Sequence, residues 1–133
     1  MFSSIRLSSS RLSSSLAASH NVVPRHPASG EPRDSPRTAS EVIGALARSG
    51  WDGCATASNH SADRGEEGVV ATLDALDSHG LGHAGTYRSR EDASVPFALY
   101  ELERGGRTVT VAQISTTMGL NGLDDPTGYS VSL

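Results

Sequence analysis

The chain has 133 residues, a net charge of −4 and 36% apolar residues; it contains no lysine, so arginine supplies every basic side chain. That length suffices for one domain with a modest core, and a mildly acidic chain without a basic stripe argues against nucleic acid as its main partner. No run approaches the ~18 apolar residues of a membrane span, and the single cysteine, Cys54, excludes an intramolecular disulfide. Cys54 sits in an apolar run and reads as a small buried hydrophobe rather than a reactive thiol.

Residues 1–20, MFSSIRLSSSRLSSSLAASH, are rich in Ser and carry Arg but no acid. They superficially fit a transit peptide, yet lack the roughly 7–15-residue apolar segment of a secretory signal. Residues 21–37 hold four of the six prolines and little periodicity, as a linker would. Residues 1–26 are therefore expected to be a disordered leader and linker, and 27–133 to carry the folded domain.

Ser35-Pro36 has the form of a helix start, Ser at the cap and Pro at the first helical position. Ala39, Val42, Ile43, Leu46 and Ala47 follow at spacings of three and four, and Gly50 closes the helix. Trp51 to Ala57 suits a short buried strand. A second helix is expected from about Gly65 to His79, with Val69, Val70, Leu73 and Leu76 on one face. Glu66 and Glu67 stand in its first turn, where the helix dipole favours anions. Leu81 to Thr86 reads as another short strand. Pro96 to Glu103 and Arg107 to Ser115 are alternating runs joined by RGGR, a hairpin. Helix–strand alternation with short connections predicts an α/β layer on a largely parallel sheet.

The chemistry gathers after the first of those strands, in SNHSADRG. Ligand sites of open α/β sheets collect at the carboxyl edge of the strands. There Asn59 can offer an amide oxygen to a metal, and His60 can serve as ligand or general acid. Asp63 can hold the imidazole in one tautomer through a hydrogen bond. The same residues equally suit an Asx-type turn capping the second helix. His79 and His83 are four apart, but Gly80 and Gly82 intervene, so they read as a surface pair rather than a helical metal pair. DDPTG, from Asp124, is turn chemistry.

The run ASNHSADRGEEGVVATLDALDSHGLGHAGTYRS resembles the CapA family of bacterial capsule and poly-γ-glutamate synthesis proteins. The resemblance rests on the Asn-His-x-x-Asp-x-Gly block, the helix after it, SPRTASEVIGALARSGWD before it and STTMGLNG after it. It covers roughly residues 27–133 and implies a calcineurin-type metallophosphoesterase fold, an α/β/β/α sandwich with two divalent metals (Mn, Zn or Fe). By that likeness Asn59 is the amide metal ligand, while His60, with Asp63, contacts phosphate or protonates the leaving group. GLNG, with Asn121, matches a loop on the ligand side.

The family's early Gly-Asp block and late Gly-His-His and His-x-His blocks have no counterpart here. A two-metal site needs several carboxylate and imidazole donors. The expectation is therefore an interior piece of a CapA protein, with an incomplete metal site that holds no metal by itself and with an uncovered sheet face. The resemblance implies other exopolymer synthesis proteins as partners and an envelope-associated setting. A non-enzymatic tethering subunit of a polymer synthase, or a small α/β partner-binding module, are the alternative roles.

Overall fold

In the computed structural model, residues 3–5 and 36–133 are described. Strand β1 (Ser3–Ile5) is followed by helix α1 (Pro36–Arg48), strand β2 (Gly53–Ala55), helix α2 (Gly65–Ser78) and strand β3 (Gly82–Ala84). A 3-10 turn at Asp92–Ser94 precedes strands β4 (Ala98–Arg104) and β5 (Arg107–Gln113). The expected Ser35 cap of α1 lies outside the described residues.

Both helices stop in the same way. At the end of α1 the Gly50 N–H donates to the Ala47 carbonyl and the Trp51 N–H to that of Leu46; at the end of α2, Gly80 and Leu81 bond Asp77 and Leu76 likewise. This pattern needs a left-handed residue just past the helix, which Gly50 (φ 81°) and Gly80 (φ 70°) supply at no steric cost. It also turns Trp51 and Leu81 back onto the helix they follow, so each chain reversal begins on the core.

β2 and β3 are parallel, with Gly53 opposite Gly82 and Ala55 opposite Ala84, and α2 is the crossover between them. This is the expected βαβ unit, in shorter strands than the apolar runs suggested. Among the described residues the parallel pairing is confined to these two strands. β1 adds antiparallel to the other side of β2, Ser4 opposite Cys54, so three residues of the segment set aside as leader join the sheet. β4 and β5 form a separate antiparallel hairpin, turned by Gly105 and Gly106, both at positive φ as a two-residue hairpin loop requires.

The two helices cover one face of the first sheet. Ile43 of α1, Cys54 of β2, and Val69, Leu73 and Leu76 of α2 make one cluster with Leu81, and Leu46, Ala47, Trp51 and Ala75 pack against it. Val42 departs from the expected stripe: it is 52% exposed. Gly44, two residues on and so on the far side of the helix, is buried instead, where the absent side chain lets α1 approach the His79 ring at the end of α2.

Because strand side chains alternate, Gly53 and Gly82 face away from Cys54. The hairpin lays Tyr100 into the notch these two glycines leave. A Cβ on Gly82 would stand 2.6 Å from the Tyr100 hydroxyl, and one on Gly53 closer still. The hydroxyl donates to Gln113 Oε1 across the hairpin at 2.5 Å. Burial, with Cys54 and Asp52 nearby, pushes its pKa up to about 12. The layers are thus helices, three-stranded sheet, hairpin: a mixed α/β fold.

The last residues return to the sheet. Val131 bridges antiparallel to Thr86, Tyr87 N–H donates to the Ser130 carbonyl and Ser132 N–H to that of Gly85. The expected strand from Leu81 to Thr86 is therefore split: Gly82–Ala84 pairs with β2, and Thr86 pairs with the chain end. Val131 joins Ala62 and Leu120 in a second small cluster, with Ala57 against it.

Candidate functional site

Parallel pairing brings the carboxyl ends of β2 and β3 to one edge, and the loop after β5 reaches the same edge. From β2 the chain passes through Thr56 and Ala57 into residues 58–64, a succession of tight turns: Ser61 N–H to the Ser58 carbonyl, Asp63 N–H to that of His60 and Gly65 N–H to that of Ala62. Hydroxyls lock the loop to the strands. Ser61 Oγ donates to the Thr56 carbonyl at 2.7 Å and accepts from Ser58 N–H at 2.8 Å. Thr56 Oγ1 donates to the Ala84 carbonyl of β3, and Ser115 Oγ accepts from Ala57 N–H.

On this base stand Asn59, His60 and Asp63, all exposed. His60 Nδ1 lies 2.8 Å from Asp63 Oδ2. A carboxylate can only accept, so Nδ1 carries the proton and Nε2 is left as the free lone pair of the neutral ring. Nε2 has no partner among the described residues. Asn59 Nδ2 donates to Asn121 Oδ1 at 2.9 Å, and the other end of the Asn121 amide lies 3.3 Å from His60 Nδ1. With the ring proton committed to Asp63, that last approach is packing rather than a second strong bond. Asn121 itself holds a left-handed backbone (φ 56°), a conformation Asn tolerates better than most residues.

Beneath His60 opens a cavity of about 230 Å3 whose wall includes Thr56, Ser58, Ser61, Thr72 and Thr86, with Val69 as its main apolar patch. Thr56 and Thr86 are buried and joined by a 2.8 Å hydrogen bond.

A family model of the bacterial capsule synthesis protein PGA_cap matches residues 23–130. The chain belongs to that family. No curated protein and no solved structure matches it.

In this capsule synthesis protein, the residues singled out from the sequence meet in one place: Asn59, His60 and Asp63 share the loop, and His60 and Asp63 are in direct contact. None of them caps α2. Its N-cap is Arg64, with no side-chain cap hydrogen bond, so the loop is not held in place by helix capping. Asn121, which the family likeness put on the ligand side, gains its partner, Asn59, only in the tertiary structure. The GLNG stretch signals a turn, and only the return of the chain past β5 brings its amide onto Asn59, some sixty residues earlier.

The other candidates resolve into structural roles. His79 lies 3.4 Å from Ser40 Oγ of α1, whereas His83, in β3, contacts Asp77 Oδ1 at 3.1 Å; they share no site. Burial lowers the His83 pKa, with Arg88 adding to this and Asp77 and Asp92 opposing it. Arg88 spans Asp74 at 2.9 Å and Asp77 at 2.6 Å, tying the loop after β3 to α2. Asp125, from the DDPTG turn, accepts from the backbone N–H groups of Thr127 and Val131 and from the hydroxyls of Thr127 and Ser130. Burial alone would raise its pKa; these bonds outweigh it and hold the carboxyl below its ordinary value.

As donors to a metal, the loop offers the Asn59 amide oxygen and the His60 Nε2. Among the described residues no group of three or more His, Cys, Asp or Glu side chains is placed to hold a metal ion. A two-metal centre does not fit this donor set, since each ion takes four or more ligands.

Proposed function

We propose that the Asn59–His60–Asp63 loop is the proton-handling part of a phosphoester-type site in capsule polymer synthesis. The His60–Asp63 pair carries this reading. An exposed imidazole with its proton pinned by a carboxylate keeps Nε2 available to exchange a proton with a bound oxygen, as general base when neutral and general acid when charged. Asp63 positions the ring; Asn59 and Asn121 form an amide shelf beside it. Poly-γ-glutamate as the polymer and other exopolymer synthesis proteins as partners remain part of this proposal by family likeness. So do Mn, Zn or Fe, which need donors beyond those this loop brings together. Residues 27–133 are proposed to act as the domain that carries it.

Nitrogen NMR shifts of the His60 ring test the reading without an activity assay. The wild type should show the Nδ1–H tautomer, and Asp63→Ala should release it toward the Nε2–H form common in free imidazole. An Nε2–H ring in the wild type would sink the proposal. Calorimetric titration of Mn²⁺ or Zn²⁺ into this chain should give binding no tighter than a stray histidine provides. In a chain supplying further carboxylate and imidazole donors, Asn59→Ala should weaken metal binding. His60→Ala there should spare the metal and lower turnover by ~10²–10⁴-fold, the usual loss for a general acid.

A further inference from the structure

The cavity under His60 has a property that follows from hydrogen-bond bookkeeping. Each hydroxyl has one proton to give and two lone pairs to accept with. Thr56 Oγ1 gives its proton to the Ala84 carbonyl and Thr86 Oγ1 gives its own to Thr56 Oγ1. Ser61 Oγ donates to the Thr56 carbonyl and Thr72 Oγ1 to the Gly68 carbonyl. Ser58 Oγ lies 3.3 Å from Ser61 Oγ; with the Ser61 proton already committed, Ser58 is the donor of that pair. The backbone N–H groups of Thr56, Ser58, His60 and Ser61 are likewise bonded within the protein. What the wall retains is mostly lone pairs: two on Thr86 Oγ1, two on Thr72 Oγ1, one each on Thr56 Oγ1 and Ser58 Oγ, and His60 Nε2 at the rim, against one backbone donor, the Thr86 N–H.

We infer that this cavity is a subsite for a neutral polyhydroxylated group, a single sugar-type ring whose hydroxyls donate to the Thr72, Thr86 and Ser58 oxygens beside His60. A wall with this excess of acceptors and no arginine in its lining disfavours phosphate and carboxylate oxygens, which can only accept. It also lacks any carboxylate to balance an ammonium group, since none lines it. Its volume of about 230 Å3 falls below the ~300 Å³ lower end of drug-sized ligand pockets, so it takes one ring and not a length of polymer. Val69 gives the apolar patch on which a ring face can rest. The inference rests on the proposed role of His60 only in placing a ligand hydroxyl next to Nε2, the atom that would exchange its proton.

Proton–nitrogen NMR of the full chain, titrated separately with methyl glucoside, inorganic phosphate and methylammonium, tests it. Methyl glucoside should shift the amides of Ser58, Ser61, Thr72 and Thr86 in a saturable way, and the other two probes should leave those of Thr72 and Thr86 unmoved. Thr86→Val and Thr72→Val keep shape and remove lone pairs, and each should weaken that binding by about 3- to 10-fold, the worth of one hydrogen bond. Thr72 lies on α2 and bonds only its own helix, so its variant remains informative if Thr86→Val disturbs the Thr56 contact. Absence of a saturable shift with the glucoside overturns the inference. So does a saturable phosphate or methylammonium response at the Thr72 and Thr86 amides, or unchanged binding in Thr72→Val. If the glucoside binds as expected while the His60 ring proves to be the Nε2–H tautomer, the proton-handling role fails and the subsite stands.

Discussion

The βαβ unit and the hairpin spend their apolar residues differently. In the first, Leu73 and Leu76 are fully buried and Cys54 is 1% exposed. In the second, Leu99 is 59% exposed, and Ile114 just past β5 is 70% exposed. The sequence patterns are equally regular; the difference is cover. α1 and α2 close over one face of the first sheet, whereas the hairpin meets that sheet through Tyr100 and presents its other face, with Leu99 and Glu101, outward. An apolar side chain stabilises only to the extent that it is removed from water. The helix-covered unit therefore carries the stability of this chain, and the hairpin is held by a small number of specific contacts. The site loop sits on the stable unit, between β2 and α2, but takes Asn121 from beyond the hairpin.

The largest test of this contrast compares two leucines. Leu73→Ala should cost ~2–5 kcal/mol through lost burial and the cavity left behind, while Leu99→Ala should stay within about 0.5 kcal/mol of wild type. Denaturant unfolding of both variants measures it, and similar losses would show that the hairpin is covered in solution. Next comes the glycine notch. Gly53→Ala places a methyl group against Tyr100 and should cost ~1–3 kcal/mol as an overpacked site does. In the Tyr100→Phe background, which removes the clashing hydroxyl, part of that cost should be recovered. Full additivity of the two substitutions would mean that the notch does not hold the hairpin.

Two smaller effects depend on pH. Tyr100 has a folded pKa raised from 10.0 to about 12. Its contribution is complete below pH 10 and is lost as pH rises through 12, because the unfolded chain releases the phenolic proton first. Tyr100→Phe should flatten that alkaline decline and lower stability by ~1 kcal/mol at neutral pH. His83 behaves in the opposite range. Its folded pKa lies below the ordinary 6.5, so above that pH it contributes no slope. As pH falls beneath 6.5, the unfolded chain takes up a proton that the buried ring resists, and stability declines. His83→Gln should shallow the stability profile between 6.5 and the folded value, read from thermal melts across pH. A steeper slope in the variant would contradict the burial-driven shift.

Much of this was readable before folding, and for identifiable reasons. Short-range physics sufficed for the helix ends, because Gly50 and Gly80 follow apolar stripes of helical spacing. It sufficed for the hairpin, where RGGR separates two alternating runs, and for the βαβ unit. The Asn59–His60–Asp63 constellation is also local: three residues in one turn need no distant partner to come together. Val42 was misplaced because a stripe defines a wide arc, and the sequence does not say that α1 turns Gly44, a residue without a side chain, toward α2.

Partnerships between distant segments were settled only by packing. Nothing local to Gly53 announces Tyr100, and nothing in GLNG announces that Asn121 will bond Asn59. The same holds for Ser3–Ile5 pairing with β2, for Val131 reaching Thr86, and for the spent hydroxyl protons that make the wall of the cavity under His60 rich in acceptors. Each of these depends on where two chain segments meet in space. Periodicity and turn chemistry act over a few residues, and so they suffice for the elements and for the chemistry of one loop. The tertiary structure decided what faces that loop, because burial and hydrogen-bond direction are properties of the assembled fold.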